Sequence, residues 1–558
     1  MTSPHPVEIE LKLALPPQQA EAFLRRMARR RSVPVRQELL TRYFDTPDFA
    51  LSAQGVALRV RRLGRRWLQT LKTEGERHGG LSQRAEYEMA ITRGTPDWSR
   101  FPPEALAYVA DPLRERIVPV FETRFHRTAW LLRGKGGAEI EVALDVGAVH
   151  AGRRSQPICE VELELKAGQP DALFELAQSW AGQFDLLPLD ASKAERGVRL
   201  AHGEAAAPVK AAPLALDRAM CVEDGFAAIC QACLAQFQAN LPGVLGLLPL
   251  PNPDEATNHS TKPASGQVAG YLPRAGANAG PTASPLPNPP PQVGEGANVM
   301  PTAINEYVHQ ARVALRRLRA GLRLYRKVCV LPDELLEGLR ELAAALGPAR
   351  DWDVLCDETL PAIAPHYPDR AAWQHGMQAL QARRAGVRAE MRAAIAQARP
   401  GAWLLAFQRW LLQHGWQDAP EAQRVIQMSP LRGWARRALQ KGHRPIARGA
   451  RDFGQLQAAQ RHALRIAIKR QRYAAEFFQG LFGKRRQARY LALLRDTQDS
   501  LGRSNDARIA QALLAAAQVD AGPMGDFVLG WLAAKQAEAA DGESAGHLRK
   551  IMKLKPYW

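Results

Sequence analysis

The chain begins with a strict alternation of apolar and charged residues. In VEIELKL (7–13), apolar side chains at every second position are separated by Glu8, Glu10 and Lys12. Alternate side chains of a strand point to opposite faces, so the pattern predicts a strand with one apolar and one ionic face. One strand of this kind is typical of the wet side of an antiparallel sheet.

The same pattern recurs along the first 200 residues. Ionic residues share one face in LRVR (58–61), LQTLKT (68–73), SQRAEYEMAI (82–91), AEIEVALDV (138–146) and ICEVELELK (158–166). Charges of both signs on nearly every strand predict a sheet that closes into a barrel with a polar lumen. Cations in this lumen would neutralise a polyanion such as triphosphate. Its carboxylates would hold Mg²⁺ or Mn²⁺, hard cations that prefer oxygen ligands.

The pattern of apolar and polar residues changes near residue 203. We predict a strand-rich domain over residues 1–203, a linker over 204–216 and an all-helical domain over 217–558, rich in Ala, Leu, Arg and Gln. A Pro/Gly/Asn-rich stretch at about 247–302 cannot bury a core, so we predict a disordered insertion between two helices. The expected fold class is therefore α+β multidomain.

The amino-acid composition limits the kinds of binding partner and the cellular compartment that are expected for the protein. A formal net charge of +19 favours an anionic partner. Six scattered cysteines suit a reducing compartment, and Cys230 and Cys233 lack a second Cys or His pair at zinc-finger spacing, so we expect them to pack in a core. No signal segment and no run of 18 apolar residues is visible, so we expect a cytoplasmic protein without a membrane partner.

The helical region contains an internal repeat. HQARVALRRLR (309–319) carries a basic stripe beside an apolar one, and RHALRIAIKRQRY (461–473) repeats it 153 residues later. LGPARDWDV (346–354) is echoed by LGRSNDARI (501–509) at an offset of 155. We infer a duplicated helical unit whose two basic helices face each other across a pseudo-twofold axis. Like charges on such stripes repel each other unless an anion binds there.

The first region resembles the CYTH domain, the triphosphate tunnel metalloenzymes. EIELKL matches the ExExK signature of that family. Further marks follow in the family's order: YFDT (43–46), LRVR, Lys72, RAEYE (84–88), TRFHRTAW (123–130), Asp145, EVELE (160–164) and SKAERG (192–197). The resemblance covers about residues 5–200. It implies an eight-stranded antiparallel tunnel that hydrolyses or cyclises triphosphates with a divalent metal.

The resemblance also implies a role for each matching position. The catalytic ExExK set is Glu8, Glu10 and Lys12. Substrate phosphates would be bound among Lys12, Arg59, Arg61, Lys72, Glu86, Arg127 and Lys193, with Arg124 as the alternative to Arg127. The metal ligands would be Glu8, Glu10, Asp145, Glu160 and Glu162, with Glu164 as a replacement for one of them.

The helical region resembles the CHAD domain, an all-helical tandem repeat that binds inorganic polyphosphate in a basic groove. The matching residues are His309, Arg312, Arg316, Arg319, His462, Arg465, Lys469 and Arg472. Aromatic residues make up only 7% of the chain and do not interleave with basic stretches, so no specific nucleic-acid partner is expected. Polyphosphate binding would associate the cytoplasmic protein with polyphosphate granules.

Together these features predict a metal-dependent inorganic triphosphatase tethered to a polyphosphate-binding domain. The many tunnel cations and the absence of a P-loop motif favour inorganic triphosphate over nucleotides. Alternatives on the same tunnel fold are a thiamine triphosphatase and an adenylate cyclase acting on ATP. A non-catalytic polyphosphate-binding protein is the alternative from another class, and the intact set of acidic residues argues against it.

Overall fold

A computed structural model of the chain describes residues 7–30, 32–248, 299–538 and 542–558. The predicted insertion at 247–302 lies outside the described residues, except for 247–248 and the first turn of a helix that begins at Val299. Among the described residues, no helix combines the length and the apolarity needed to cross a bilayer.

Strands and short helices make up the first part of the chain. The strands are β1 (Val7–Ala14), β2 (Val35–Asp45), β3 (Ala57–Leu63), β4 (Arg66–Lys72), β5 (Glu76–His78), β6 (Leu81–Ile91), β7 (Val118–Arg133), β8 (Glu139–Ala151), β9 (Arg154–Ala167) and β10 (Leu187–Pro188). The helices are α1 (Ala20–Ala28), α2 (Ala50–Ala53), α3 (Pro103–Leu106), α4 (Asp111–Arg114), α5 (Asp171–Ala181) and α6 (Lys193–His202).

Eight of these strands close into an antiparallel barrel. The hydrogen-bonded order is β1-β9-β8-β7-β2-β3-β4-β6, and β1 pairs again with β6 to complete the circle. β5 extends the sheet beyond β6, and β10 pairs with the end of β1. The predicted eight-stranded antiparallel tunnel is thereby confirmed.

The barrel has an apolar outside, because its helices cover that side rather than the lumen. Leu11 and Leu13 of β1 are fully buried in an outer core with Phe23 of α1 and Trp180 of α5. The rings of Phe23 and Trp180 meet edge to face, with centroids 5.3 Å apart. This outer packing turns the opposite, ionic face of β1 into the lumen, as the alternation of the sequence predicts.

Helix α6 closes one end of the barrel. Its start is fixed by a capping box between Ser192 and Glu195. Gly197 brings the helix against β7 so closely that a Cβ there would lie 2.1 Å from the Phe121 ring. The first residue of the helix, Lys193, is thereby directed into the barrel.

The second part of the chain is helical. Its helices are α7 (Val222–Leu245), α8 (Val299–Tyr325), α9 (Asp333–Val354), α10 (Leu360–Ile363), α11 (Arg370–Gln397), α12 (Pro400–Leu412), α13 (Glu421–Gln427), α14 (Leu431–Arg451), α15 (Ala458–Phe477), α16 (Lys484–Ala516), α17 (Gln518–Glu538) and α18 (Gly542–Lys553). Short 3₁₀ segments cover Pro17–Gln19, Trp98–Arg100, Lys135–Gly137, Ala364–His366, Phe453–Gln455 and Gln479–Leu481, and Leu355–Thr359 is a π-helical turn. Cys230 and Cys233 are buried in this helical core, as predicted.

The helical part shows the predicted repeat. α7 and α14 start side by side, because Val222 N donates to Ser429 O (3.1 Å) and Leu431 N donates to Met220 O (3.0 Å). These two helices begin 209 residues apart, whereas the basic motifs of α8 and α15 are 153 residues apart. The difference of 56 residues equals the length of 247–302. An insertion into the first copy of a duplicated unit accounts for both offsets.

The two parts of the chain pack against each other through α12. Leu405 of α12 is fully buried in the outer core of the barrel domain. Arg409 donates to both carboxylate oxygens of Asp171 at the start of α5, at 2.8 and 3.0 Å. The segment 204–216 has no regular secondary structure and packs against the helical part. Its residue Ala206 accepts a hydrogen bond at its backbone oxygen from Tyr307 Oη of α8 (2.7 Å). The domain boundary itself stays a prediction.

A substitution at Gly401 of α12 would test the contact between the two parts of the chain, because a Cβ there would lie 1.7 Å from the carbonyl oxygen of Leu186. We expect Gly401→Ala to destabilise the protein by about 1–3 kcal/mol through overpacking. Thermal unfolding would show a lower midpoint. Gly530→Ala on α17 is the matched control, since nothing lies within 4 Å of its added Cβ and alanine favours a helix. Equal midpoints for the two variants would contradict the close approach of α12 to the segment before β10.

Candidate functional site

The barrel encloses a cavity of about 640 Å³. Its ionic lining comes from nearly every strand and from α6: Glu8, Glu10, Lys12, Arg59, Arg61, Lys72, Arg84, Glu86, Glu88, Arg127, Glu141, Glu162, Glu164, Lys166 and Lys193. All of the predicted tunnel residues are in this lining except Asp145 and Glu160. Those two lie beyond it, at the end that α6 closes.

Three predicted metal ligands come together at the closed end. Carboxylate oxygens of Asp145, Glu160 and Glu162 lie within 4.8 Å of one another. Lys193 Nζ contacts all three, at 2.6 Å from Asp145 and 2.8 Å from Glu162, with Glu160 as its third partner. Arg196, from the same helix, also pairs with Glu160. The sequence motif SKAERG contains Arg196, but its role as a partner of Glu160 was not predicted.

Arg127 adds a second cation to this cluster. Its guanidinium donates to both oxygens of Asp145, at 2.8 and 2.7 Å, and also pairs with Glu162. Burial alone would raise the pKa of Glu162, but Lys193, Arg127 and Lys12 together lower that pKa well below its ordinary value. Arg124 projects from the other face of β7 and pairs with Glu122 outside the barrel, so the structure places Arg127 in the tunnel.

Glu8 belongs to a different cluster. Lys72 Nζ lies 2.8 Å from both oxygens of Glu8 and 3.0 Å from Glu86, and Arg84 Nε donates to Glu8 at 3.1 Å. Burial favours a raised pKa for Glu8, yet Lys72, Arg84 and Lys12 lower it far below the ordinary value. Arg84 was missed as a site residue, although the alternation in SQRAEYEMAI places it on the same face as Glu86.

Glu10 keeps a raised pKa in the lumen although two cations reach it, Lys12 and, at 3.8 Å, Arg84. It pairs with Lys12, which stands opposite Glu162 in the register of β1 and β9. Burial and the charge of Glu162 raise the pKa of Glu10 to about 7, because Lys12 offsets them only in part. A further cation beside Glu10 would restore its charge, so this position can accept a metal ion.

Two arginines of β3 face the cavity with free hydrogen-bonding capacity. Arg61 donates to the hydroxyl of Thr41 at 3.1 Å and forms no ion pair with the described residues. Burial and the nearby charges of Arg59 and Arg127 lower the pKa of Arg61 to about 10. Arg59 reaches Glu86 at 3.3 Å, while its buried Nε has no hydrogen-bond partner within the described chain. Such uncompensated cations favour an anion in the lumen.

The predicted basic groove forms where α8 crosses α15. Burial and the charges of Arg316, Arg465 and Arg312 lower the pKa of Lys469 to about 8, so these side chains stand close together. The two basic stripes therefore face each other, as the repeat predicts. Arg316 Nε is buried and has no hydrogen-bond partner among the described residues. Arg312 reaches a carboxylate only at 3.9 Å, from Asp351.

The other four predicted groove residues differ in their surroundings. His309 is half-buried, and burial together with Arg350 lowers its pKa. Arg319 and His462 are exposed. Arg472 is engaged within the protein, because it donates to Glu476 at 2.8 Å and to Gln498 at 3.0 Å.

Lys193 is expected to stabilise the folded tunnel strongly. Lys193→Gln would leave buried carboxylates at the closed end short of one cation, with an expected cost of about 3–5 kcal/mol at pH 7. The stabilisation of Glu162 is present above its ordinary pKa of 4.5 and is lost as the pH falls through the lower folded value. Thermal midpoints at pH 7 and near pH 3, inside that window, should therefore show a smaller deficit for Lys193→Gln in acid.

The control is Lys166→Gln at the open part of the tunnel. Lys166 pairs with Glu164 at 2.6 Å, and the side chains are 38% and 31% exposed, so we expect a loss below about 1 kcal/mol. Added Mn²⁺ should raise the midpoint of Lys193→Gln more than that of the wild type. If both variants unfold at the same temperature, Lys193 does not neutralise the carboxylate cluster.

Comparisons with known proteins agree with this architecture. Residues 7–198 match the CYTH domain, and residues 297–515 match the CHAD domain. A protein of Haemophilus influenzae named inorganic triphosphatase is 36% identical over 199 residues, which are 35% of this chain and 54% of that protein. The chain thus spans about half the length of this curated relative.

Solved structures include the CHAD domain of the plant Ricinus communis, with 27% identity, a TM-score of 0.46, and coverage of 63% of this chain and 98% of that one. A Hippeastrum protein, described as a putative adenylyl cyclase with a dominant triphosphatase activity, shows 18% identity, a TM-score of 0.27, and coverage of 35% and 96%. On these two matches, the chain contains a CYTH domain at residues 7–198 followed by a CHAD domain at residues 297–515.

Proposed function

We propose that the tunnel domain hydrolyses inorganic triphosphate to diphosphate and phosphate with the help of a divalent metal ion. The observation that carries the proposal is Arg61, a half-buried arginine that faces the cavity without an acidic partner in the described chain. Removing an arginine from water without a counter-charge costs free energy, which a bound anion would recover. The name of the Haemophilus relative supports triphosphate as that anion.

Different cations of the lumen would bind different parts of the substrate. Arg59 and Arg61 stand side by side on β3, where Arg59 retains an unused Nε and Arg61 lacks an acidic partner among the described residues. Lys12 faces them from β1 and Arg127 from β7. Guanidinium groups in a narrow lumen would bind phosphate oxygens in a fixed orientation and stabilise the charge that develops during phosphoryl transfer. No covalent nucleophile is required of the chain.

The carboxylates fit a divalent metal ion. The closed end brings together three hard oxygen donors, Asp145, Glu160 and Glu162, beside the cations that neutralise them. The raised pKa of Glu10 marks a carboxyl whose charge Lys12 and Arg84 compensate only in part. Glu8, Glu10 and Glu162 line the cavity and would hold Mg²⁺ or Mn²⁺ beside the phosphates, with Asp145 and Glu160 behind them. A bound metal would neutralise phosphate charge and supply an activated water.

Arg61 and Arg124 provide a matched test of the tunnel. We expect Arg61→Ala to lower kcat/KM for triphosphate by at least about 100-fold, or roughly 2.7 kcal/mol, while the thermal midpoint without ligand stays equal or rises. Arg124→Ala, which removes an arginine from the outside of the barrel, should keep the wild-type rate. Phosphate release would be measured with Mg²⁺ and with Mn²⁺.

The same assay also decides the substrate. Triphosphate, ATP, thiamine triphosphate and long polyphosphate would be compared at equal concentration, with pyrophosphate and cyclic nucleotide analysed as products. Faster turnover of an organic triphosphate than of triphosphate would refute the inorganic substrate. Full activity of Arg61→Ala would refute the assignment of the cavity as the phosphate site.

We further propose that the helical domain binds inorganic polyphosphate in the groove between α8 and α15. Lys469 and the arginines around it repel each other, and the buried Nε of Arg316 has no partner in the described chain. A chain of phosphates would relieve this repulsion and raise the pKa of Lys469 again. Binding of this kind would associate the protein with cytoplasmic polyphosphate granules.

Charge reversal tests the groove. We expect Arg312→Glu combined with Arg465→Glu to weaken polyphosphate binding by at least about tenfold, and binding by the wild type to fall steeply with salt. Arg25→Glu combined with Arg133→Glu changes the net charge equally on exposed positions of the tunnel domain. Isothermal titration with polyphosphate of defined length would measure both. Equal losses in the two double variants would mean that only net charge matters.

A further inference from the structure

The pseudo-twofold axis of the helical domain relates each groove residue to a counterpart 153 positions away. Arg319 corresponds to Arg472, and Arg317 corresponds to Arg470. Two pairs break the symmetry of charge, because Arg323 in α8 corresponds to Glu476 in α15 and Arg326 corresponds to Gln479. The two sides of the crossing therefore share Arg319/Arg472 and Arg317/Arg470, but differ by two units of charge at Arg323/Glu476 and by one at Arg326/Gln479.

On the side of Glu476, the cations are engaged within the protein. Arg472 donates to Glu476 at 2.8 Å, and Arg317 and Arg495 each approach it at 3.6 Å. Arg317 also lies over the ring of Phe477, 5.3 Å from its centroid. The Glu476 side chain is only 13% exposed, so its charge is poorly screened by water. A polyphosphate chain entering here would meet a carboxylate and would have to replace existing ion pairs.

The opposite side contains Arg319 and Arg470, the equivalents of Arg472 and Arg317, and carries Arg323 in place of the acid. Arg470 occupies the position of Arg317, and burial together with Arg323 and Arg326 lowers its pKa, so the three guanidinium groups face one another. Arg319, Arg323, Arg326 and Arg470 are all exposed. None of these four forms an ion pair with a carboxylate in the described part of the chain.

We infer that the polyphosphate site is one-sided: the chain extends from the helix crossing over Arg319, Arg323, Arg326 and Arg470, and Glu476 excludes it from the other side. The inference rests on the proposed binding of polyphosphate to this groove and adds Arg323, Arg326 and Arg470 to it. Phosphates bind most favourably to cations that are accessible and not already paired, since no internal contact must then be broken. The inference also removes Arg472 from the residues expected to contact polyphosphate.

Arg319 and Arg472 provide the matched test, because they are the same residue at equivalent positions of the two repeats. We expect Arg319→Gln to weaken polyphosphate binding by at least about fivefold and Arg472→Gln to change it by less than about twofold. Arg323→Gln combined with Arg470→Gln should weaken it by at least about tenfold and reduce the slope of log affinity against log salt by roughly two. Titration calorimetry over several salt concentrations measures both quantities.

A gain of affinity provides an independent test. Glu476→Gln removes the acid and frees the arginines around it, so we expect polyphosphate to bind at least about threefold more tightly. Circular dichroism and the thermal midpoint would show whether each variant is folded. The exposed positions 319, 323 and 470 carry no ion pair with the described residues whose loss would unfold the domain.

The outcomes separate the inference from the function on which it rests. Equal losses for Arg319→Gln and Arg472→Gln, with tight binding by the wild type, would overturn the one-sided site and leave polyphosphate binding in place. Unchanged binding by Arg323→Gln with Arg470→Gln would do the same. Failure of the wild-type protein to bind polyphosphate at any salt concentration would overturn both.

Discussion

Charge balance inside a closed barrel is the constraint on which the tunnel domain depends. Closing eight strands puts the ionic faces of nearly all of them into one lumen, where many charged side chains are buried and need a partner. Lys193 provides the largest part of that balance, because one ammonium group contacts three carboxylates. This explains why α6 is capped at Ser192 and packed through Gly197, since its first residue must reach the barrel interior.

The balance is complete at the closed end and incomplete in the open part. Asp145 and Glu160 are satisfied by cations of α6 and β7, whereas Glu10 keeps a pKa of about 7 and Arg61 has no acidic partner in the described chain. The unbalanced groups are of both signs and line one cavity. A metal ion and a triphosphate anion together would balance them, whereas either one alone would leave a charge of the other sign uncompensated. This complementarity links the proposed substrate to the proposed cofactor.

The sequence was sufficient for the faces of the strands but not for the pairing of their charges. Period-two alternation placed Glu8, Glu10 and Lys12 in the lumen because side-chain direction follows from strand geometry alone. It could not show that Glu8 pairs with Lys72 and Arg84 while Glu162 pairs with Lys193, since those distances depend on register and on the docking of α6. The five expected metal ligands formed one group in the sequence and separate clusters in the structure for this reason.

The helical domain shows how a duplicated unit becomes asymmetric while its packing is preserved. The core positions of α8 and α15 stay apolar in both copies, with Leu315 and Ile468 fully buried at equivalent places. Positions outside the core are free to change, and the difference between the exposed Arg323 and the largely covered Glu476 alters the charge without disturbing the core. The same freedom allowed a 56-residue insertion between α7 and α8 of the first copy only. Symmetry of the fold therefore gives no assurance of symmetry in the proposed ligand site. The direction of the proposed polyphosphate chain would be decided by side chains that the repeat pattern alone does not distinguish.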